Sequence, residues 1–306
     1  MINSKIEQEI KNLINQFNTK NYEHVILKSK TLIKKNPQYV ILYNLLGSSY
    51  QNLGNFLFAK DTFKEGLKLD PTNIAITNNL AMSYKNLLEY KHSEELFNEI
   101  IKKNKNYINA YVNLGNLKRD LNEFEDAIEL YKKALTINEK NPIVLYSLAL
   151  AYQGLGRFDE AVNFAQKTLL NNPNFTRADN LISQSIKYDN TNQHYLSLKE
   201  KILKSHFTNE EKIELHFALG KAEEDIKNYE ESSKNLIIGN KLKKKVLNYN
   251  VKNDLYLIEN IKEIFLKNDL KSKDTKNKDN IIFILGMPRS GTSLVEQIIT
   301  AHSEVF

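Results

Sequence analysis

The 306-residue chain has no cysteine and no tryptophan, and only five prolines and ten glycines. Without cysteine there is no disulfide framework, no thiolate zinc site and no thiol nucleophile. So few prolines and glycines argue against the many tight turns of an all-β fold. Long apolar runs are missing too. A secretory signal needs an apolar stretch of about 7–15 residues, and a membrane-spanning helix about 20. The opening segment has neither and already carries Glu7 and Glu9. The expectation is a cytoplasmic protein with no membrane span. Lys+Arg 43 against Asp+Glu 37 leaves a net charge of +6. That admits an anionic ligand without implying nucleic acid. The six histidines show no metal-ligand spacing. What is present is apolar material, 41% of residues, enough for a sizeable core in about two domains or one long repeat array.

A repeat is written plainly. Tyr22, Phe56, Tyr90, Phe124 and Phe158 are spaced 34 residues apart, as are Leu46, Leu80, Leu114 and Leu148. Tyr50, Tyr84 and Tyr152 fall on the same grid, with Lys118 in the skipped slot. Each unit reads as two helices. In Leu42 to Asn52 apolar residues recur at helical spacing until Gly54-Asn55 breaks the run, and a second helix follows from Phe56 to Leu69, ending at Asp70-Pro71. Small residues at one place in the second helix (Val25, Ala59, Ser93, Ala127, Ala161) and in the first (Gly47, Ala81, Gly115, Ala149) let the pair approach closely. Proline ends the second helix because it has no N–H to donate.

The pattern Tyr111-x-x-Leu114-Gly115, then Phe124, Ala127, Tyr131 and Ala134, resembles a tetratricopeptide repeat. Units start near 6, 40, 74, 108 and 142; a degenerate one near 176 carries Tyr188-Asp-Asn-Thr-Asn-Gln193, and another near 213 follows an insertion around Phe207-Thr208-Asn209. The array covers 1–245, and the resemblance implies an all-α, right-handed solenoid. Most repeat residues are packing residues. On the concave surface lined by the first helices, Asn44, Asn78, Lys85, Asn116 and Arg119 are candidates for contact with a protein or peptide partner, and Asn79 with Asn113 could form an amide ladder reading a peptide backbone.

Residues 246–270 read as one amphipathic helix, marked by Leu255, Leu257, Ile258, Ile261, Ile264 and Phe265. The charged stretch 271–280 has no apolar residue and reads as a linker. The texture then changes. Ile281-Ile-Phe-Ile-Leu285 reads as a strand of a parallel sheet, Gly286-Met-Pro-Arg-Ser-Gly291 as a glycine-bracketed turn, and Thr292-Ser293 as the start of a helix. Strand, turn and helix start make a phosphate cradle: the backbone bends without a β-carbon in the way, and the first helical N–H groups are free to face an anion. Against the nucleotide-hydrolysing pattern G-x-x-x-x-G-K-[ST], the lysine slot holds Thr292 and the cation sits at Arg289. That departs from an ordinary ATPase, GTPase or kinase-like enzyme.

Gly286 through His302 closely resembles the 5′-phosphosulfate loop of sulfotransferases, and more narrowly the bacterial group that fuses tetratricopeptide repeats to a sulfotransferase domain. Phe217-Ala-Leu-Gly-Lys221 with Gly239-Asn-Lys-Leu-Lys243 resembles the segment those fusions carry before that domain. The resemblance implies the donor 3′-phosphoadenosine 5′-phosphosulfate, held by Arg289, Ser290, Gly291, Thr292 and Ser293, with transfer of its sulfuryl group to a hydroxyl or amine and Arg289 as the catalytic cation. Ser303 stands where a proline usually follows the histidine, while His302 and Glu296 read as packing or helix-dipole residues. A sulfotransferase domain runs to about two hundred residues, so residues 281–306 are expected to be its beginning, and the chain itself an inactive fragment. The alternative is a non-catalytic scaffold.

Overall fold

The computed structural model describes residues 2–204, 206–247 and 250–267. They form fifteen α-helices, with no strand among the described residues. The chain divides into two compact units, Met1–Tyr249 and Asn250–Phe306.

In the first unit five helix pairs follow one another: α1 (Ile2–Asn18) with α2 (Tyr22–Lys35), α3 (Val40–Asn52) with α4 (Phe56–Leu69), α5 (Ile74–Asn86) with α6 (Tyr90–Lys103), α7 (Ile108–Asp120) with α8 (Phe124–Ile137), and α9 (Pro142–Gly154) with α10 (Phe158–Asn171). The turn inside each pair has one geometry. Its central residue is left-handed in every case: Lys20, Gly54, Leu88, Asn122 and Gly156, with φ between 62° and 76°. The next residue donates its N–H to a carbonyl five positions back, as Asn55 does to Tyr50 at 2.9 Å and Glu123 to Lys118 at 2.9 Å. This closes the helix with a Schellman-type cap. The turn between pairs uses a different device. Asp70, Asn104, Asn138 and Asn172 each accept, through a side-chain oxygen, the N–H two residues on, the Asx geometry that competes with further helix. That placement accounts for part of the asparagine content.

Packing within a pair follows a large-against-small rule. A β-carbon built on Gly47 would fall 2.4 Å from the ring of Phe63, and one on Gly115 2.5 Å from the ring of Tyr131. In the first unit of the array the sizes are exchanged: Leu13 stands on the first helix and Ser29 on the second, both buried. Successive first helices pack against one another as well as on their own partners, whereas neighbouring second helices are not in comparable contact. The first helices therefore line the inner face. The all-α solenoid of helix pairs that the tetratricopeptide resemblance implies is the fold observed.

The regular pattern changes after α10. Helices α11 (Thr176–Ser185) and α12 (Gln193–Ile202) are short, and α13 (Asn209–Asp225) and α14 (Tyr229–Leu247) form the last pair. Thr208 caps α13 in a capping box with Glu211. Here α11 packs directly on α13, and α12 packs on α13 without a comparable backbone approach to α11. The second compact unit contributes α15 (Val251–Lys267), whose Leu255, Ile258 and Ile261 are exposed. The linker 271–280 and the strand, turn and helix expected over 281–306 lie outside the described residues.

Candidate functional site

Stepping along the inner face by 34 residues from Asn44 gives Asn78, Val112, Tyr146, Asn180 and Glu214, one side chain per first helix. Their neighbours complete a polar strip. Asn113 donates from Nδ2 to Oδ1 of Asn78 at 2.9 Å. Asn78 donates to Oδ1 of Asn79 at 3.4 Å, and Asn79 in turn donates to Oδ1 of Asn44 at 2.9 Å and to the hydroxyl of Ser48 at 3.3 Å. The amide relay thus crosses three units in one direction, from α7 through α5 to α3.

The two amides expected to form a ladder reading a peptide backbone are engaged within the array: Asn79 and Asn113 each reach a residue 35 positions earlier, on the previous first helix. The reason is geometric. An amide at i+34 sits at the same height on the next helix, and the side chain leans one position across to meet a partner. Asn78 is buried, 7% exposed, which makes it a member of the relay more than a surface contact.

The other candidates are also engaged. Lys85 pairs with Asp120 at 2.6 Å. Asn116 accepts the hydroxyl of Tyr131 at 2.8 Å through its Oδ1. Burial pushes the Tyr131 phenol well above its ordinary range, so it stays a donor throughout neutral pH. Arg119 makes a single contact of 3.3 Å with Asp120, whose other oxygen Lys85 already holds. Its guanidinium is the least committed cation of the original set.

Tyr146, Arg177 and Glu214 were not singled out from the sequence, although Tyr146 and Glu214 share the register of Asn44 and Asn78. Tyr146 packs its ring on Phe175 at 4.9 Å between centroids. Burial raises its phenol, with Glu214 acting in the same sense and Arg177 and Arg119 against it. Asn180 donates to Glu214. Beside them Asn174, Phe175, Arg177, Glu210 and Glu214 line a cleft of about 290 Å³. The strip changes character along its length, amide-rich at α3 to α7 and charged with aromatic walls at α9 to α13. Arg289, Ser290, Gly291, Thr292 and Ser293 lie outside the described residues.

Family models of tetratricopeptide repeats match residues 40–73, 115–156 and 144–170. A model of the sulfotransferase family matches residues 281–306. An uncharacterized protein of Aquifex aeolicus is 39% identical over 93 residues, which are 29% of this chain and 12% of that protein. Solved structures agree in fold. A thermophilic tetratricopeptide protein of Thermus thermophilus matches with a TM-score of 0.53 at 18% identity, over 58% of this chain and 97% of that one. A tetratricopeptide repeat protein of Parabacteroides merdae gives 0.52 at 18%, over 76% and 98%. The C-terminal part of a repeat-containing protein of Cytophaga hutchinsonii gives 0.51 at 15%, over 78% and 94%. The array carries tetratricopeptide repeats. No described helix is long and apolar enough to cross a membrane.

Proposed function

We propose that the protein is a sulfotransferase whose repeat array binds the polypeptide it serves. The observation that carries this reading is the sulfotransferase-family match over 281–306, which falls on the segment whose sequence reads as a glycine-bracketed turn, with Arg289 followed by the hydroxyl residues Ser290, Thr292 and Ser293. The donor set suits a phosphosulfate. Arg289 offers a planar fork that can hold two oxygens, and Thr292 and Ser293 add hydroxyl donors where the sequence pattern leads one to expect the first N–H groups of a helix.

The donor 3′-phosphoadenosine 5′-phosphosulfate supplies, when bound, a sulfuryl group for a hydroxyl or amine acceptor and leaves extra negative charge on its 5′-phosphate. Arg289 and the amides of 290–293 would face that growing charge. By analogy with phosphoryl transfer, preset donors of this kind lower a barrier because they need no reorganisation during the reaction. The array's contribution is placement: an acceptor polypeptide held on the inner face has a raised local concentration near the enzyme domain.

Titration calorimetry with 3′,5′-bisphosphoadenosine on the polypeptide of the complete reading frame tests the enzymatic half. Saturable heat is expected, weakened about tenfold or more by Arg289→Ala, in line with the loss of a charge-assisted pair, and ATP should not compete. Absence of heat sinks the reading and leaves the second one, a protein-binding scaffold without catalysis, which the repeat array by itself favours.

A further inference from the structure

The charged side chains that are most fully buried among the described residues are gathered in one place. Asp179 is 0% exposed, Glu223 3% and Lys201 9%, whereas buried polar groups in the first five pairs are serine, threonine and asparagine. Lys201 of α12 donates to both carboxylate oxygens of Asp179 on α11, at 2.7 and 2.9 Å. His194 of α12 meets the same carboxylate through Nε2 at 3.1 Å, and its Nδ1 lies 2.6 Å from the hydroxyl of Tyr188. Burial raises the Tyr188 phenol far above its ordinary range, so it stays a neutral hydroxyl beside Nδ1. The backbone N–H of Tyr188 donates to Asp225 of α13, which also pairs with Lys221. On the far side of α12, Tyr195 donates to Glu223 at 2.9 Å.

This polar cluster coincides with the break in helix packing. In the regular pairs the second helix rests along its first. Here α11 rests on α13, so the ladder of helices continues without α12. What joins α12 to α11 is the side-chain cluster, and what joins it to α13 is a short apolar row, Tyr195 and Leu198 with Leu215 and Leu219, together with the bond from Tyr195 to Glu223. A segment closed by a buried ion pair differs physically from one closed by apolar contact. Desolvation offsets most of the Coulomb attraction while the segment is shut. When it lifts, both charges recover their hydration, so opening costs less than exposing an apolar helix of the same length.

We infer that residues 187–204 form a strap, latched on Asp179 by Lys201 and His194, that opens as one unit while the helix ladder from α10 through α11 to α13 stays intact. Opening bares the row Leu215, Leu219 and Ala222 of α13, which α12 otherwise covers.

Hydrogen exchange on the whole chain, read peptide by peptide, tests this. In the unaltered protein, amides of 193–202 should exchange about tenfold or more faster than those of α10 and α13, as a local opening requires. Asp179→Asn should accelerate 193–202 about tenfold further and leave α8 to α10 within about twofold. The pair Asp179→Asn with Lys201→Met, which removes both charges, should restore protection to within about threefold of the original. Should 193–202 exchange in step with α10 and α13 in the unaltered protein, there is no strap. Equal acceleration of every helix by Asp179→Asn would overturn it equally, and if that variant does not fold, the unaltered protein still decides.

Discussion

Tyr131 stands against Gly115 so closely that a β-carbon there would lie 2.5 Å from its ring, and the phenol is tied at the far end to Asn116 at 2.8 Å. One residue thus sets the spacing of α7 and α8 twice, by contact and by hydrogen bond.

Gly115→Ala should therefore destabilise the protein by about 1–3 kcal/mol, the usual range for overpacking. The pair Ala81 and Phe97 holds a β-carbon at the equivalent place, both residues buried, but no hydroxyl tether fixes Phe97. Adding Tyr131→Phe to Gly115→Ala should accordingly recover part of the loss by freeing the ring to move. Urea denaturation of the two variants measures the difference, and a neutral single variant refutes the account.

Leu88 adopts φ 62° in a turn where Gly54 and Gly156 serve in other units. Its side chain is 69% exposed, so little packing is lost on removing it. A left-handed residue with a β-carbon costs about 1–2 kcal/mol, partly offset by the greater entropy of glycine in the unfolded chain. Leu88→Gly should raise stability by about 0.5–1 kcal/mol. A lowered thermal midpoint is the contrary outcome.

Lys118 lies between Glu94 and Glu123, 2.8 Å from each. One unit earlier Lys60 stands in the place of Glu94 and Tyr84 in that of Lys118: Lys60 sits over the ring of Tyr84 at 5.6 Å and pairs with Glu89. Lys118→Tyr should destabilise by about 1 kcal/mol, because it sets the Glu94 carboxylate against a ring face and removes its cation. Adding Glu94→Lys rebuilds the neighbouring junction and should recover most of that. The two glutamates hold the Lys118 ammonium above its ordinary pKa, Glu123 contributing most. A group raised in the folded state stabilises fully below its unfolded pKa and loses that contribution as pH rises through the folded value. The junction should thus weaken only in alkali beyond about pH 10.4, and a Lys118→Met variant, which has no titrating group there, should lack that step in a pH series of thermal melts.

Asn78 is the middle of the amide relay, accepting from Asn113 and donating to Asn79. Asn78→Leu leaves an NH₂ group of Asn113 without its acceptor and should cost about 1 kcal/mol. If the relay is a real network, Asn113→Leu in the same protein should cost less than it does alone. Simple additivity in denaturation would show that the amides act independently.

The sequence determined the helix order of the regular pairs. A 34-residue recurrence of apolar and small residues places each helix and each turn, because these depend on local backbone rules and on like positions facing like positions. It also marked the inner-face register, Asn44 and Asn78 included. Which of those amides face solvent was decided by tertiary structure. The bonds run to residues 35 positions away, an offset set by how the side chains lean across the inner face and invisible in any periodicity. The same holds for Asp179 and Lys201. Twenty-two positions apart, they belong to no repeat register, and only the direct packing of α11 on α13 brings an acid and a base into one dry space.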